Sequence, residues 1–195
     1  MPMEKKTDLE LMNLLVNKNT PALKELYRRY EMQIFNFLVR CTGQREIAQE
    51  LIQDTFTRLW FAAPTFDCKK GHFKTWLYTI ALNLARSEMT KKEHRFRFID
   101  PDEIHDHREL EGDNQGKGPD TVLEQQETRA AIANALGKLQ PHLKEVIILK
   151  NYHYLKFKEI AEVSKVPEST IKSRYHKAIS ELKKQFNPEE VNSHA

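Results

Sequence analysis

The sequence predicts an all-α protein in two helical units joined by a flexible acidic linker, and three observations carry that reading. Apolar residues recur at helical spacing along most of the 195-residue chain, and no stretch alternates in the manner of a half-buried strand. Between Arg97 and Pro119 the periodicity disappears into a segment rich in Asp, Glu, Gly and Pro, which cannot bury enough apolar area to offset the entropy of ordering it. From Phe157 to Leu182 two short apolar-periodic segments flank a turn and the second is basic, the pattern of a helix-turn-helix. The expected boundaries are residues 1–96 for the N-terminal bundle, 97–120 for the linker, 121–187 for the C-terminal unit and 188–195 for a disordered tail.

The elements follow in order. Leu9, Met12, Leu15 and Val16 mark a short first helix that ends between Asn17 and Pro21. A second carries Leu23, Leu26, Tyr27, Tyr30, Ile34, Phe37 and Leu38 on one side and stops near Thr42 and Gly43, where glycine can take the left-handed cap conformation. A third, from about Glu46 to Phe61, has a broad stripe of Ile47, Ala48, Leu51, Ile52, Thr55, Phe56, Leu59 and Trp60. After a loop from Pro64 to Gly71, Phe73, Trp76, Leu77, Ile80, Ala81, Leu84 and Ala85 give a fourth helix whose spacing matches the helical template almost completely. Helicity resumes at Thr121 to Leu139, and Pro141 starts a further helix through Leu143, Val146, Ile147 and Leu149.

In the helix-turn-helix, Ile160, Ala161 and Val163 supply the buried face of the first helix and Ile171, Tyr175, Ala178, Ile179 and Leu182 that of the second. The other face of the second helix carries Ser169, Thr170, Lys172, Ser173, Arg174, His176 and Lys177, groups suited to phosphate oxygens and to base edges in a major groove. An amphipathic hairpin with a solvated basic face fits the same window. The fourth helix leaves Lys74, Thr75, Tyr78, Thr79, Asn83, Arg86 and Ser87 outside its stripe and runs on into Lys91, Lys92, Arg95 and Arg97, with Phe96 and Phe98 interleaved. That mixture suits a single strand whose bases stack on rings or enter pockets, although a partly buried tyrosine and a solvated helix end are the plainer account.

Charge divides the chain in the same places. Residues 1–97 hold 17 Lys and Arg against 11 Asp and Glu, residues 129–187 hold 12 against 5, and residues 98–128 hold 2 against 10. The net charge of +3 therefore conceals two basic blocks around an acidic one, which suits two contacts with a polyanion.

Other classes of function find little support. No glycine-rich phosphate loop, HExxH, GxSxG or CxxC occurs, so an enzyme is not expected, and neither is a cofactor. His105 and His107 among Asp102, Glu103, Asp106 and Glu109 read as a solvated acidic loop rather than a metal site. Cys41 reads as a packing residue and Cys68 as a thiol in a polar loop, and two cysteines exclude a disulfide-dense scaffold. The polar N-terminus and the lack of any run of eighteen apolar residues point to a cytoplasmic protein with no membrane insertion.

Taken in order, QREIAQELIQDTFTRLW, FDCKKGHFKTWLYTIALNLARSEM, an acidic gap and LGKLQPHLKEVIILKNYHYLKFKEIAEVSKVPESTIKSRYHKAISELKK resemble a bacterial extracytoplasmic-function (ECF) sigma factor. The resemblance covers about Leu23 to Arg95 and Arg129 to Leu182. It implies a region 2 type bundle, a region 4 type helix-turn-helix domain, and the work of a transcription initiation factor that brings core RNA polymerase to promoters and promotes melting. By that resemblance Gln53, Asp54 and Arg58 on the third helix are candidate contacts to core polymerase. The loop Phe66 to His72 with the start of the fourth helix corresponds to the element that captures a flipped minus-ten base, Lys74 and Tyr78 are candidate DNA contacts there, and Asn83, Arg86, Lys91, Lys92 and Arg95 would follow the strand. Ser169 to Lys177 read the minus-thirty-five duplex, and an anti-sigma factor is an implied further partner. The chain departs from the family in the helix-turn-helix, with Lys165 where a glycine usually stands in the turn and Pro167 at the start of the recognition helix. A stand-alone helix-turn-helix regulator with a ligand-binding or dimerising bundle is the alternative reading. On the initiation-factor reading, the expectation is of two separate nucleic-acid readers on a slack tether.

Overall fold

The computed structural model describes residues 2–69, 71–96 and 130–186. The expected acidic linker and C-terminal tail, with the histidines of the linker, lie outside the described residues.

Each N-terminal helix starts and stops for a local chemical reason. Helix α1 (Asp8–Val16) opens on a reciprocal box in which Thr7 Oγ1 accepts from the Glu10 amide at 3.3 Å and Glu10 Oε2 accepts from the Thr7 amide at 2.7 Å. Helix α2 (Thr20–Thr42) begins under the Asn19 side chain, which accepts from the Ala22 amide at 3.0 Å, with Pro21 in its first turn. It ends at Gly43, whose φ of +73° lets the chain turn without a Cβ in the way. Helix α3 (Arg45–Ala62) is followed by a 3₁₀ turn (Ala63–Thr65), and helix α4 (Phe73–Phe96) returns across the bundle.

The core of this unit is built from Leu26, Ile34, Phe37 and Leu38 of α2, Ala48, Leu51, Phe56 and Leu59 of α3, and Leu77, Ala81 and Leu84 of α4. Edge-to-face aromatic pairs lock the helices together, with Tyr30 on Phe73 at 5.3 Å and Phe37 on Tyr78 at 5.2 Å between ring centroids. Arg29 ties the N-terminal segment to α2 by donating to Asp8 at 2.9 Å, to Glu25 at 2.7 Å and to the carbonyls of Glu4 and Lys6. Hydrogen bonds from Arg28 and Arg29 hold the Glu25 carboxyl down to about 2.

In the C-terminal unit a helix over 130–138 (α5) leads to α6 (Pro141–Ile147), which continues as a π turn (Ile148–Tyr152). Helices α7 (Phe157–Ser164) and α8 (Glu168–Phe186) form the helix-turn-helix. Leu136, Leu139, Leu143 and Ile147 pack on Ala178 of α8, and Phe157 meets Tyr175 edge-to-face at 5.4 Å. The turn is made by Lys165 at φ 57° and ψ 42°, and the Val166 amide closes on the Ala161 carbonyl at 3.2 Å, the six-to-one bond of a Schellman turn. Pro167 stands just before α8, and its carbonyl accepts from the Ile171 amide at 3.1 Å.

The two units are not held apart. Val146, Ile148, Leu149, Leu155, Ile160 and Val163 belong to the same apolar core as the N-terminal bundle, and α7 lies along α4. This corrects the expectation of separated readers, and the cause lies in α4, which is covered on two sides. At the centre of the junction His153 is buried, its ring edge-on to Phe37 at 5.5 Å and its Nδ1 2.8 Å from the Tyr78 hydroxyl, with Nε2 left without a partner. Lys144 donates to the carbonyl of Cys41 at 3.2 Å, satisfying one of the free carbonyls at the end of α2. The Arg40 guanidinium lies 4.4 Å over the Tyr152 ring.

Two outcomes are expected from this architecture. Replacing Lys165 with Gly removes the left-handed strain at the turn and should raise stability by about 0.5–1 kcal/mol in a denaturant titration, whereas Lys165→Val should lower it. Burial, reinforced by the nearby charges of Arg40 and Lys74, lowers the His153 pKa from 6.5 to about 3, so the ring stays neutral in the assembled protein. An unfolded chain takes up that proton as pH falls below 6.5, while the folded one resists until about 3. Stability should therefore fall as pH drops through that window and be insensitive to this group above it; thermal melts of wild type and His153→Gln should converge as pH is lowered.

Candidate nucleic-acid interface

Helix α4 presents two faces, and only one of them was visible as a stripe. Phe73, Leu77, Ala81, Leu84 and Ala85 point into the N-terminal bundle as expected. A second row, Lys74, Tyr78, Leu82, Arg86 and Met89, is spaced by three or four residues and meets the C-terminal unit. Tyr78 and Thr75, expected to face outward, are buried, and burial raises the Tyr78 pKa. The Lys74 ammonium donates to the His153 carbonyl at 3.2 Å. The Arg86 guanidinium grips the Glu145 carboxylate with both edges, Nε to Oε1 at 2.9 Å and Nη2 to Oε2 at 2.6 Å, and this pairing raises the arginine's pKa further.

The remaining members of the expected strand-following set divide into two groups. Asn83 and Lys91 are exposed, and Lys91 lies 3.4 Å from Glu88 on the same helix. The side chains of Lys92 and Arg95 lie outside the described residues.

Beside the start of α4 is an open cleft of about 280 Å³. Its walls are Thr65, Phe66, Asp67, Gly71 and His72 of the loop and Thr75, Trp76 and Thr79 of α4. Phe66 packs against Trp76 at 5.1 Å and against Phe73 at 6.3 Å, so the cleft has an aromatic floor on which a flat ring can stack. The last wall is Glu162 of α7, whose carboxylate lies where a side chain at Gly71 would meet it at 3.6 Å. The fully buried Cys41 thiol, pushed up to about 12, is packing, as its apolar surroundings in the sequence implied, and Cys68 in the loop is exposed.

Helix α8 keeps its polar face outward: Ser169, Lys172, Ser173, His176 and Lys177 are exposed, and Thr170 and Arg174 half-buried. Glu168 joins this face at the helix start and holds the Lys172 ammonium at 2.7 Å, a pairing that moderates the positive charge. On the far side of the N-terminal unit Gln53, Asp54 and Arg58 project from α3 as exposed side chains.

Sequence reasoning passed over Glu145, His153 and Glu162, three residues that the C-terminal unit brings alongside α4. Glu145 carried a signal, an acid inside the apolar run of PHLKEVIILK, which burial requires to be paired. His153 and Glu162 carried none: His153 stands in a short connection between Tyr152 and Tyr154, and Glu162 is an exposed acid of an amphipathic helix.

Comparison with known proteins identifies the two units. Residues 26–95 match the sigma-70 region 2 family and residues 129–182 match the sigma-70 region 4 family. The chain is 31% identical over 173 residues to the RNA polymerase sigma factor YlaC of Bacillus subtilis, covering 86% of this chain and 93% of that one. It is 28% identical to the ECF RNA polymerase sigma factor SigW of the same organism, over 85% and 89% of the two chains. Among solved structures, the fold is similar to that of the sigma factor RpoE of Bartonella quintana, captured with the anti-sigma factor NepR, at a TM-score of 0.68, 22% identity and coverage of 85% of this chain and 97% of that one. It is also similar to CnrH in complex with the cytosolic domain of CnrY, at a TM-score of 0.67, 22% identity and coverage of 93% and 98%. A region 2 bundle followed by a region 4 helix-turn-helix, with relatives matched along nearly their whole length, places the chain in the ECF group of the sigma-70 family.

Proposed function

We propose that the protein binds core RNA polymerase through α3, directs it to promoters by duplex contacts from α8, and promotes melting by holding one exposed strand on α4 with a base in the Phe66–Trp76 cleft. The observation that carries this reading is the order and identity of the two matched regions, over residues 26–95 and 129–182, on a fold that leaves the polar face of α8 outward. Membership of this family displaces the alternative of a stand-alone regulator.

Melting needs a favourable term for the strand once it is out of the stack, since unstacking a base costs a few kcal/mol. The aromatic floor and the hydroxyls of Thr65, Thr75 and Thr79 supply it, and the cations of α4 supply phosphate contacts that carry no sequence information. Sequence choice belongs to α8, where Arg174 and the hydroxyls of Ser169, Thr170 and Ser173 reach base edges. Nothing in this scheme requires a cofactor or a catalytic step by the protein itself. As with RpoE and its partner NepR, we infer an anti-sigma factor that holds the protein inactive. No helix among the described residues is long and apolar enough to cross a membrane, and a cytoplasmic place of action suits a polymerase subunit.

Run-off transcription with purified core polymerase tests the reading directly. Core with this protein should start transcripts on some genomic fragments that core alone leaves silent, and a complete lack of new starts refutes it. Arg174→Ala should weaken binding of the upstream duplex by about 1–3 kcal/mol and spare association with core. Asp54→Ala should do the opposite, reducing core association measured by co-sedimentation while upstream duplex binding stays at its wild-type value.

A further inference from the structure

The segment ahead of α1 is pinned in place while adding little to the core. Its 3₁₀ turn (Met3–Lys5) contains no buried residue, and Met3 packs only partly against the apolar cluster. What holds it is the Arg29 guanidinium, which donates to the carbonyls of Glu4 at 2.9 Å and Lys6 at 2.8 Å and, through Nη1, to Oδ1 of Asp8 at 2.9 Å. The other oxygen of that carboxylate accepts from the Tyr30 hydroxyl. Tyr30 is buried, so its hydroxyl has to be paired within the protein, and the pairing fixes where the ring lies.

That ring stands at one end of a row of aromatic contacts leading to the cleft. Tyr30 meets Phe73 edge-on at 5.3 Å, Phe73 meets Phe66 edge-on at 6.3 Å, and Phe66 meets Trp76 at 5.1 Å. Phe73 is the first residue of α4 and directly follows His72 of the cleft wall, so its packing sets where the loop rejoins the helix. The floor of the cleft therefore rests on Phe73, and Phe73 rests on Tyr30.

We propose that Asp8 and Tyr30 are positioning residues for base capture: the N-terminal segment, locked by Arg29, braces Tyr30 against Phe73 and so holds the Phe66–Trp76 floor ready for a flipped base. The proposal rests on the base-capture reading above. Neither residue touches DNA in this scheme. A floor held in its bound arrangement before the base arrives gives up less freedom on binding, so loosening the brace weakens capture without removing a contact. Asp8 and the segment before it lie ahead of the region 2 match, which begins at residue 26, so the brace joins residues outside that match to rings within it.

The test uses the full chain with core polymerase on a promoter found by run-off transcription, with opening followed by a fluorescent base analogue beside the minus-ten box. Tyr30→Phe deletes the hydroxyl and keeps the ring; it should slow opening at least about fivefold, while core association and upstream duplex binding stay at their wild-type values. Asp8→Ala should do the same, and the double variant should be no worse than either single one, because both break one link. An abasic nucleotide is then placed in turn at each minus-ten position of either strand. Wild-type opening should fall at the captured position, and there the gap between wild type and Tyr30→Phe should shrink to less than about twofold, since a loosened floor matters only when it has a base to hold. Equal opening by wild type and Tyr30→Phe on the intact promoter overturns the proposal, and so does an undiminished gap on the abasic one, which marks a general loss of fold. A wild type that opens the promoter but ignores every abasic position defeats base capture itself and the brace with it, so the two failures are distinct. Should Tyr30→Phe not fold, Asp8→Asn decides by the same abasic comparison.

Discussion

Helix α4 has to be covered twice. Its bundle side, from Phe73 through Leu84, is the usual stripe of an amphipathic helix, but Tyr78 and Leu82 on the next row are as deeply buried as any residue in the core. Two-sided burial is normal for a central helix and abnormal for one that ends a small domain, where the second side would face water. The C-terminal unit resolves the difficulty by laying α7 and the segment around His153 against it. The remaining contacts between the units, from Lys144 at the end of α2 to Glu162 at the cleft, depend on that placement.

Polar chemistry at the junction follows from the same burial. Glu145 retains only 6% of its surface, and a carboxylate so placed is tolerable only with a well-aligned cation; Arg86 meets it edge to edge. His153 is handled differently. Two cations nearby and little solvent keep its ring neutral, and the Tyr78 hydroxyl satisfies one nitrogen while the other goes without. The junction thus combines an apolar contact and an edge-to-edge ion pair with one ring nitrogen that no other side chain or carbonyl reaches.

Much of the architecture could be read from residue spacing. The helices of the N-terminal unit, the stop at Gly43 and the two helices of the helix-turn-helix are local properties, fixed by caps and periodicity within a few residues; the turn at Lys165 was marked out by the family resemblance. The outward placement of Gln53, Asp54 and Arg58 on α3, and of most of the α8 set, was equally accessible because one apolar stripe defines its complement. What could not be read was the partner of the second face of α4. Lys74, Tyr78, Leu82, Arg86 and Met89 alternate cation, aromatic and aliphatic groups, so they form no stripe and passed as a solvent-facing mixture. Their partners lie as far away as His153, 79 residues from Lys74, and such pairing is decided by how two folded surfaces complement each other rather than by any window of sequence.

The distance in sequence between α4 and its cover also matters while the chain is being made. Arg86 and Glu145 are 59 residues apart and Cys41 and Lys144 are 103 apart, so synthesis proceeds well beyond the N-terminal bundle before its cover exists. At ribosomal rates of about 5–20 residues per second, Tyr78 and Leu82 stand bare for several seconds on an otherwise finished nascent bundle. During that interval the incomplete polypeptide displays a sticky ridge to chaperones and to its neighbours on the same message. The period of greatest aggregation hazard for this protein therefore precedes its release.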